Sequence, residues 1–137
     1  MFNVLGEINW IAVAVATVVL TVLAGVYFGA IIAKQYALAL GRNPSEKADF
    51  KPITIVGPMI ANLVTIITSA ILFHALNIDS FTDAITFGLL VGIGYFSAMI
   101  LNIAINPNFP KPFAYTAWNA PYFIVASVIT AVILQIL

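Results

Sequence analysis

INWIAVAVATVVLTVLAGVYFGAIIA, residues Ile8–Ala33, holds no charged side chain and is built from Val, Ala, Ile, Leu, Gly, Thr and a few aromatics. About 20 apolar residues suffice to carry a helix across a ~30 Å hydrocarbon core, so this stretch predicts a transmembrane helix. Three more charge-free runs follow: Pro52–Ile78, Ala84–Pro110 and Pro112–Leu137. The four runs are 26, 27, 27 and 26 residues long. Spans are therefore expected at about 8–33, 52–77, 81–106 and 113–137. The predicted fold class is all-α, a four-transmembrane-helix bundle in which residues 1–137 form a single integral membrane domain.

Composition points the same way. The chain is 63% hydrophobic and 7% charged, with a mean hydropathy of +1.11. A soluble domain carries about 25% charged residues to hydrate its surface; here the surface must face lipid. The net charge of zero offers no attraction to nucleic acid, and the lipid bilayer is the expected partner. The absence of cysteine excludes thiol redox chemistry, disulfides and Cys-ligated metals. Before Ile11 there is no Lys or Arg, and the apolar run is too long for a signal peptide, so the first helix is expected to stay.

The cations set an orientation. Lys34, Arg42, Lys47 and Lys51 lie between spans 1 and 2, and Lys111 lies between spans 3 and 4. Those connections share one side of the membrane. The other side carries Glu7, Asp79 and Asp83 and no cation. The positive-inside rule then places the Lys34–Lys51 loop in the cytoplasm and both termini outside, with Trp10 at the outer interface.

Within the spans, small and polar residues recur on helical period. Thr17, Thr21, Gly25 and Gly29 follow every fourth position in span 1, and Ala84, Gly88 and Gly92 do so in span 3. Small residues at that spacing let a second backbone come close. Two such stripes on one small bundle predict a homo-oligomer. In span 2, Thr54, Pro58, Asn62, Thr65 and Ser69 form a polar stripe that should avoid lipid, and Gly57-Pro58 predicts a kink. In span 3, Tyr95, Met99, Asn102 and Asn106 are read as continuing the glycine side. Gly41 suits a helix C-cap, Asn77–Ser80 a short outer turn, and Ser80 or Thr82 the cap of span 3. Phe50-Lys51-Pro52-Ile53 and Pro110-Lys111-Pro112-Phe113 open spans 2 and 4 alike, which hints at a repeated hairpin.

Chemistry in such a chain has to come from buried polar side chains. An amide has four hydrogen-bonding sites to satisfy. Asn62, Asn102 and Asn119, with Tyr95 and Tyr122, are the candidate lining of a polar pocket opening to the cytoplasm between spans 2, 3 and 4; Asn106 and Tyr115 lie nearby. The alternative is that these groups only bond helix to helix. His74 is the single imidazole, and it has no second ligand type beside it. No His, Cys or carboxylate cluster lies inside the spans, so no metal, no cofactor and no catalytic residue is assigned. Proton-coupled export of the four-helix multidrug kind needs a carboxylate within the membrane, and Glu7, Asp79 and Asp83 all sit at span ends.

The chain resembles the DUF1761 group of small bacterial membrane proteins. The resemblance rests on Ile8-Asn9-Trp10, Gly25-Val26-Tyr27-Phe28, Phe87-Gly88-Leu89-Leu90-Val91-Gly92, Asn102, and Trp118-Asn119-Ala120-Pro121-Tyr122. It covers almost the whole chain. That pattern more often has Asp where Asn119 stands, Gly where Pro121 stands and His where Phe123 stands, so any acid–base role of that site is weakened here. The resemblance implies a four-span membrane protein and nothing about activity; the expected location is the bacterial inner membrane. Three functional readings follow: a non-enzymatic protein that binds or passes a small or amphipathic ligand at the polar pocket; a structural or accessory subunit docking on a membrane partner through its glycine stripes; and, least favoured, a membrane enzyme using His74 or the tyrosines.

Overall fold

A computed structural model describes residues 3–45 and 51–137. Lys47 and Phe50, which entered the charge and repeat arguments, lie outside the described residues. The fold is all-helical, and among the described residues four helices are long and apolar enough to cross a membrane: Trp10–Ile31, Pro52–Ala75, Phe81–Ala104 and Pro112–Ile136. These are spans 1 to 4, within two residues of the expected bounds at every end.

Each boundary has a local cause. Asn9 caps α1 (Trp10–Val26), its side-chain oxygen accepting from the amides of Ile11 and Ala12 at 2.9 and 3.3 Å. The same side chain donates to the Leu137 carbonyl at 2.7 Å and ties the start of span 1 to the end of span 4. A π-helical turn, Tyr27–Ile31, then passes into the short helix α2 (Ala33–Ala39). That helix ends at Gly41, whose φ of 71° is the left-handed conformation a C-cap glycine supplies, with the Arg42 amide donating back to Ala37. Asn77, at φ 52°, closes α3 (Pro52–Ala75) the same way, with the Ile78 amide donating to Phe73. Ser80 caps α4 (Phe81–Leu89), accepting from the Asp83 amide and donating to its carboxylate. Lys51-Pro52 and Lys111-Pro112 both place proline at the helix start, where its missing N–H costs nothing. Helix α3 continues unbroken through Pro58, and α6 (Pro112–Ile136) through Pro121.

Span 4 is the centre of the bundle. Of its apolar window 39% is buried, against 22%, 17% and 22% for spans 1, 2 and 3. Spans 1 and 3 pack along opposite sides of it, and span 2 lies on span 1 with a lighter contact to span 4. The main core joins Ala12, Ala16 and Leu20 to Ile66, Ala70, Tyr122 and Ala126. A smaller core at the 2–3 turn joins Phe73, Ala84, Phe87 and Ala131.

The two small-residue stripes behave differently. A Cβ on Gly88 would stand 2.6 Å from the Val128 Cα, and one on Gly92 would stand 2.6 Å from the Ile124 Cα. Spans 3 and 4 thus meet backbone to backbone, and the Ala84–Gly88–Gly92 stripe is consumed inside one chain. On span 1, Gly25 and Gly29 have nothing within 4 Å of a Cβ. Thr17 and Thr21 turn their hydroxyls onto the carbonyls one turn back, at 2.8 and 2.7 Å.

Span 3 also corrects the expectation that Tyr95, Met99 and Asn102 extend the glycine side. Leu90–Ser97 is π-helical, between α4 and α5 (Ala98–Ala104). A π turn holds more residues than an α turn, so the inward face continues through Phe96 to the fully buried Ala104. Tyr95 is 74% exposed and Met99 55%.

Gly88→Ala and Gly92→Ala are expected to destabilise the bundle by about 1–3 kcal/mol each, because the added methyl meets backbone that cannot yield. Gly25→Ala, in open space, is expected to be neutral or to stabilise by up to about 1 kcal/mol. Thermal unfolding in detergent, followed by circular dichroism, gives the comparison.

Candidate functional site

The V between spans 2 and 3 decides where a site can exist. These spans are consecutive in sequence, yet among the described residues they pack together only near their connecting turn. There the rings of Phe73 and Phe87 stand edge to face at 5.9 Å. Below that contact the two spans part, and span 4 forms the floor between them. The space holds a cavity of about 30 Å³ lined by Asn62, Thr65 and Ser69 of span 2, Phe96 of span 3, and Phe123, Ala126, Ser127 and Thr130 of span 4; Leu20 of span 1 closes the back. Residues of spans 2, 3 and 4 supply most of that lining.

The lining is polar and uncharged. Ser127 and Thr130 are 8% and 4% exposed, and both donate to their own helix, to the Phe123 and Ala126 carbonyls at 2.7 and 2.9 Å. Their hydroxyl oxygens keep lone pairs for the cavity. Span 2 supplies a sharper demand. Ser69 is 7% exposed, and among the described residues neither its hydroxyl nor that of Thr65 has a hydrogen-bond partner. An unpaired hydroxyl in an apolar medium costs on the order of 1–3 kcal/mol. A volume of about 30 Å³ matches one water, or one hydroxyl group of a larger molecule.

The five residues expected to line one pocket are divided. Asn62 and Tyr122 come together: the Asn62 side chain is a hydrogen-bonding neighbour of the Tyr122 hydroxyl, which also donates to the Leu20 carbonyl at 3.3 Å. Asn119 is 4% exposed one turn earlier on span 4, but its amide donates to the Tyr115 carbonyl at 2.7 Å and leaves the cavity alone. Tyr95 and Asn102 are exposed on the outer side of span 3, and the Asn102 amide reaches only the Met99 sulfur at 4.0 Å. Asn106 bonds within its own loop, donating to Ile103 and accepting from the Asn108 amide. The cavity also lies deeper than expected. Asn62 stands ten residues into span 2 and Ser69 seventeen, or roughly 15 and 25 Å along the helix. It therefore runs from mid-bilayer toward the 2–3 turn, away from the loop of lysines.

Ser127 and Thr130 were missed in the sequence. The signal was available: Phe123, Ser127 and Thr130 follow at steps of four and three, the same rhythm that identified the span 2 stripe. On that stripe, Asn62, Thr65 and Ser69 turn inward, while Thr54 and Pro58 are exposed.

Between the cavity and the Lys34 side lies a continuous aromatic stack. Phe96 and Phe123 are 5.6 Å apart, Phe123 and Tyr122 5.0 Å, Tyr122 and Phe28 5.0 Å, Phe28 and Tyr36 5.3 Å, and Tyr36 and Tyr115 5.8 Å. Tyr27, beside them, donates to the Trp118 carbonyl at 2.8 Å, which locks span 1 to span 4 at the π turn. Tyr36, on α2, has its phenol pushed up by burial and by the neighbouring Tyr115 phenol, with the Arg42 guanidinium acting the other way. It therefore stays neutral and able to donate. This stack plugs the side where the cytoplasmic opening was expected.

His74 has no metal-binding company, and among the described residues no group of three His, Cys, Asp or Glu side chains could hold an ion. Neither a curated protein nor a solved structure matches the chain. The family model described as a protein of unknown function (DUF1761) matches residues 11–135. With nearly the whole of its four spans inside that match, the chain belongs to the DUF1761 family.

Proposed function

We propose that this small membrane protein is non-enzymatic and binds, or passes, a small polar molecule or the hydroxyl end of an amphipathic one in the cavity between spans 2, 3 and 4. The observation that carries this reading is Ser69, a residue only 7% exposed whose hydroxyl has no partner among the described residues, lining with Thr65 a space of about 30 Å³. The polar end of such a ligand bonds to Asn62, Thr65 and Ser69, and its apolar remainder lies along Phe96. No charged residue lines the cavity, which favours a neutral ligand, since an ion there would lack a counter-charge in a low-dielectric medium.

The open glycines of span 1 favour a second reading, an accessory subunit. Gly25 and Gly29 face outward with room for a second helix, in a second copy of this chain or in another membrane protein. On this reading Gly25→Leu and Gly29→Leu weaken association, seen as loss of chemical cross-linking in bilayers, with the monomer fold intact.

Water-edited solid-state NMR in lipid bilayers tests the first reading. Magnetisation from water should reach the Thr65, Ser69 and Thr130 side chains several-fold faster than it reaches Val18 and Val22, which face lipid. Native mass spectrometry of protein released from its own membranes should show a bound neutral molecule that Ser69→Val and Asn62→Leu lose. Transfer as slow as on the Val18 face, with no retained molecule, removes the cavity from consideration.

The orientation proposed from the cations, in a bacterial inner membrane with the Lys34–Lys51 loop cytoplasmic, is tested in the cysteine-free chain. Asp79→Cys should react with a membrane-impermeant maleimide on intact spheroplasts, and Asn43→Cys only after lysis. The reverse pattern inverts the topology.

A further inference from the structure

Tyr95 is the residue least suited to where it stands. It is 74% exposed, on the outer side of a membrane span, about 14 residues from the start of span 3, and its phenol has no hydrogen-bond partner among the described residues. One position further along, Phe96 lines the cavity and stacks on Phe123. Both residues lie in the π-helical segment Leu90–Ser97.

A π turn of this kind places one residue more than the α-helix needs in the same turn. Everything that follows it lags by about 100°. If the segment becomes α-helical, each residue advances into the direction its successor holds now. Tyr95 then takes the place of Phe96. We propose that Tyr95 is a further binding residue of the cavity, brought in by migration of the π turn along span 3 toward Ala104. This rests on the cavity being the functional site.

The rest of the span defines what can move. Upstream, Gly88 and Gly92 sit against the backbone of span 4 and hold that half in place. Downstream, Ala104 is fully buried, and a larger side chain would not fit its place. A π turn that vanished altogether would drive Ile103 into that place. Migration avoids this, because residues beyond the new position of the turn keep their register and only Tyr95–Leu101 rotate. Migration also keeps the number of backbone hydrogen bonds. Gly94, in the middle of the segment, has nothing within 4 Å of a Cβ, so that position does not oppose the twist; what the shift has to break is the Phe96–Phe123 stack and the bond from the Ser97 hydroxyl to the Gly92 carbonyl. In the shifted register Met99 and Ile100 take the half-buried places of Ile100 and Leu101, exchanges of similar volume. The gain is chemical. The Tyr95 phenol leaves hydrocarbon and faces the side of span 2 where the hydroxyls of Thr65 and Ser69 have no partner.

Fluorine NMR tests this directly. The full chain, labelled with 3-fluorotyrosine and held in nanodiscs carrying acyl-chain nitroxide lipids, gives five tyrosine signals, and Tyr95→Phe assigns the one that matters. Helix register shifts occur in microseconds to milliseconds, so saturation-transfer spectra report a second state. The expected result is a lipid-broadened Tyr95 signal in exchange with a state protected from the nitroxide. Deletion of Gly94 removes the extra residue and fixes the present register, so the protected state should disappear while the other four signals stay. A single lipid-broadened Tyr95 state in the unmodified chain overturns the proposal, and so does a protected state that survives the deletion. Should the deletion variant not fold, the unmodified chain alone still decides between one state and two. The measurement uses no ligand, so a fixed Tyr95 leaves the cavity reading standing, and a dry cavity with a moving Tyr95 removes only that reading.

Discussion

The contact of Gly88 and Gly92 with the backbone of span 4 organises the bundle. In a bilayer no hydrophobic force draws helices together, because lipid tails are as apolar as leucine; close van der Waals packing has to supply the attraction. Two glycines one turn apart allow spans 3 and 4 to approach until a Cβ would collide with Val128 or Ile124. That approach commits one face of span 3 to span 4. Span 2, held by span 1 and by the Tyr122–Leu20 core, is committed to a different face. Among the described residues the two middle spans meet chiefly near their turn, around Phe73, Ala84 and Phe87, and the cavity between them and span 4 follows from that division.

Most hydroxyls within the spans are satisfied by their own helix. Thr17, Thr21, Thr68, Thr86, Thr116, Ser127 and Thr130 each donate to a carbonyl one turn back, and Asn119 does the same with its amide. A helix in hydrocarbon offers these groups a partner at every turn, so a hydroxyl there is ordinarily silent. Against that background Thr65 and Ser69 stand out. They share a face, they lie deep, and they look into a space instead of onto their own backbone.

Much of the fold was legible because its causes are local. Four uncharged runs of nearly equal length specify four spans, Gly41 and Asn77–Ser80 specify turns, and Lys-Pro specifies two helix starts. The site was legible only in part. Asn62, Thr65 and Ser69 lie on regular α-helix, and periodicity placed them on one inward face. Tyr95 and Asn102 were misplaced because a π turn intervenes between Gly92 and Phe96, and its extra residue rotates all that follows. Nothing in Leu90–Ser97 announces such a turn: Gly92 and Gly94 permit it, but the packing of Gly92 at one end and Ala104 at the other is what requires it. The difference between the two glycine stripes was hidden for a similar reason, since both have the same spacing and only the placement of span 4 distinguishes them.

Charge then bounds the chemistry of the cavity. An ionisable group at this depth titrates against a large desolvation penalty, and membrane proteins that move protons or ions keep such groups where the substrate passes. Here every Asp, Glu, Lys and Arg among the described residues lies outside the cavity lining, and Asn119 is bonded to its own helix. Amide and hydroxyl groups discriminate by the number and direction of hydrogen bonds, not by charge. Such a lining suits a neutral molecule with one hydroxyl or amine-sized end and an apolar body that the bilayer already dissolves. The aromatic stack from Phe96 to Tyr115 fills the bundle between the cavity and the Lys34 side.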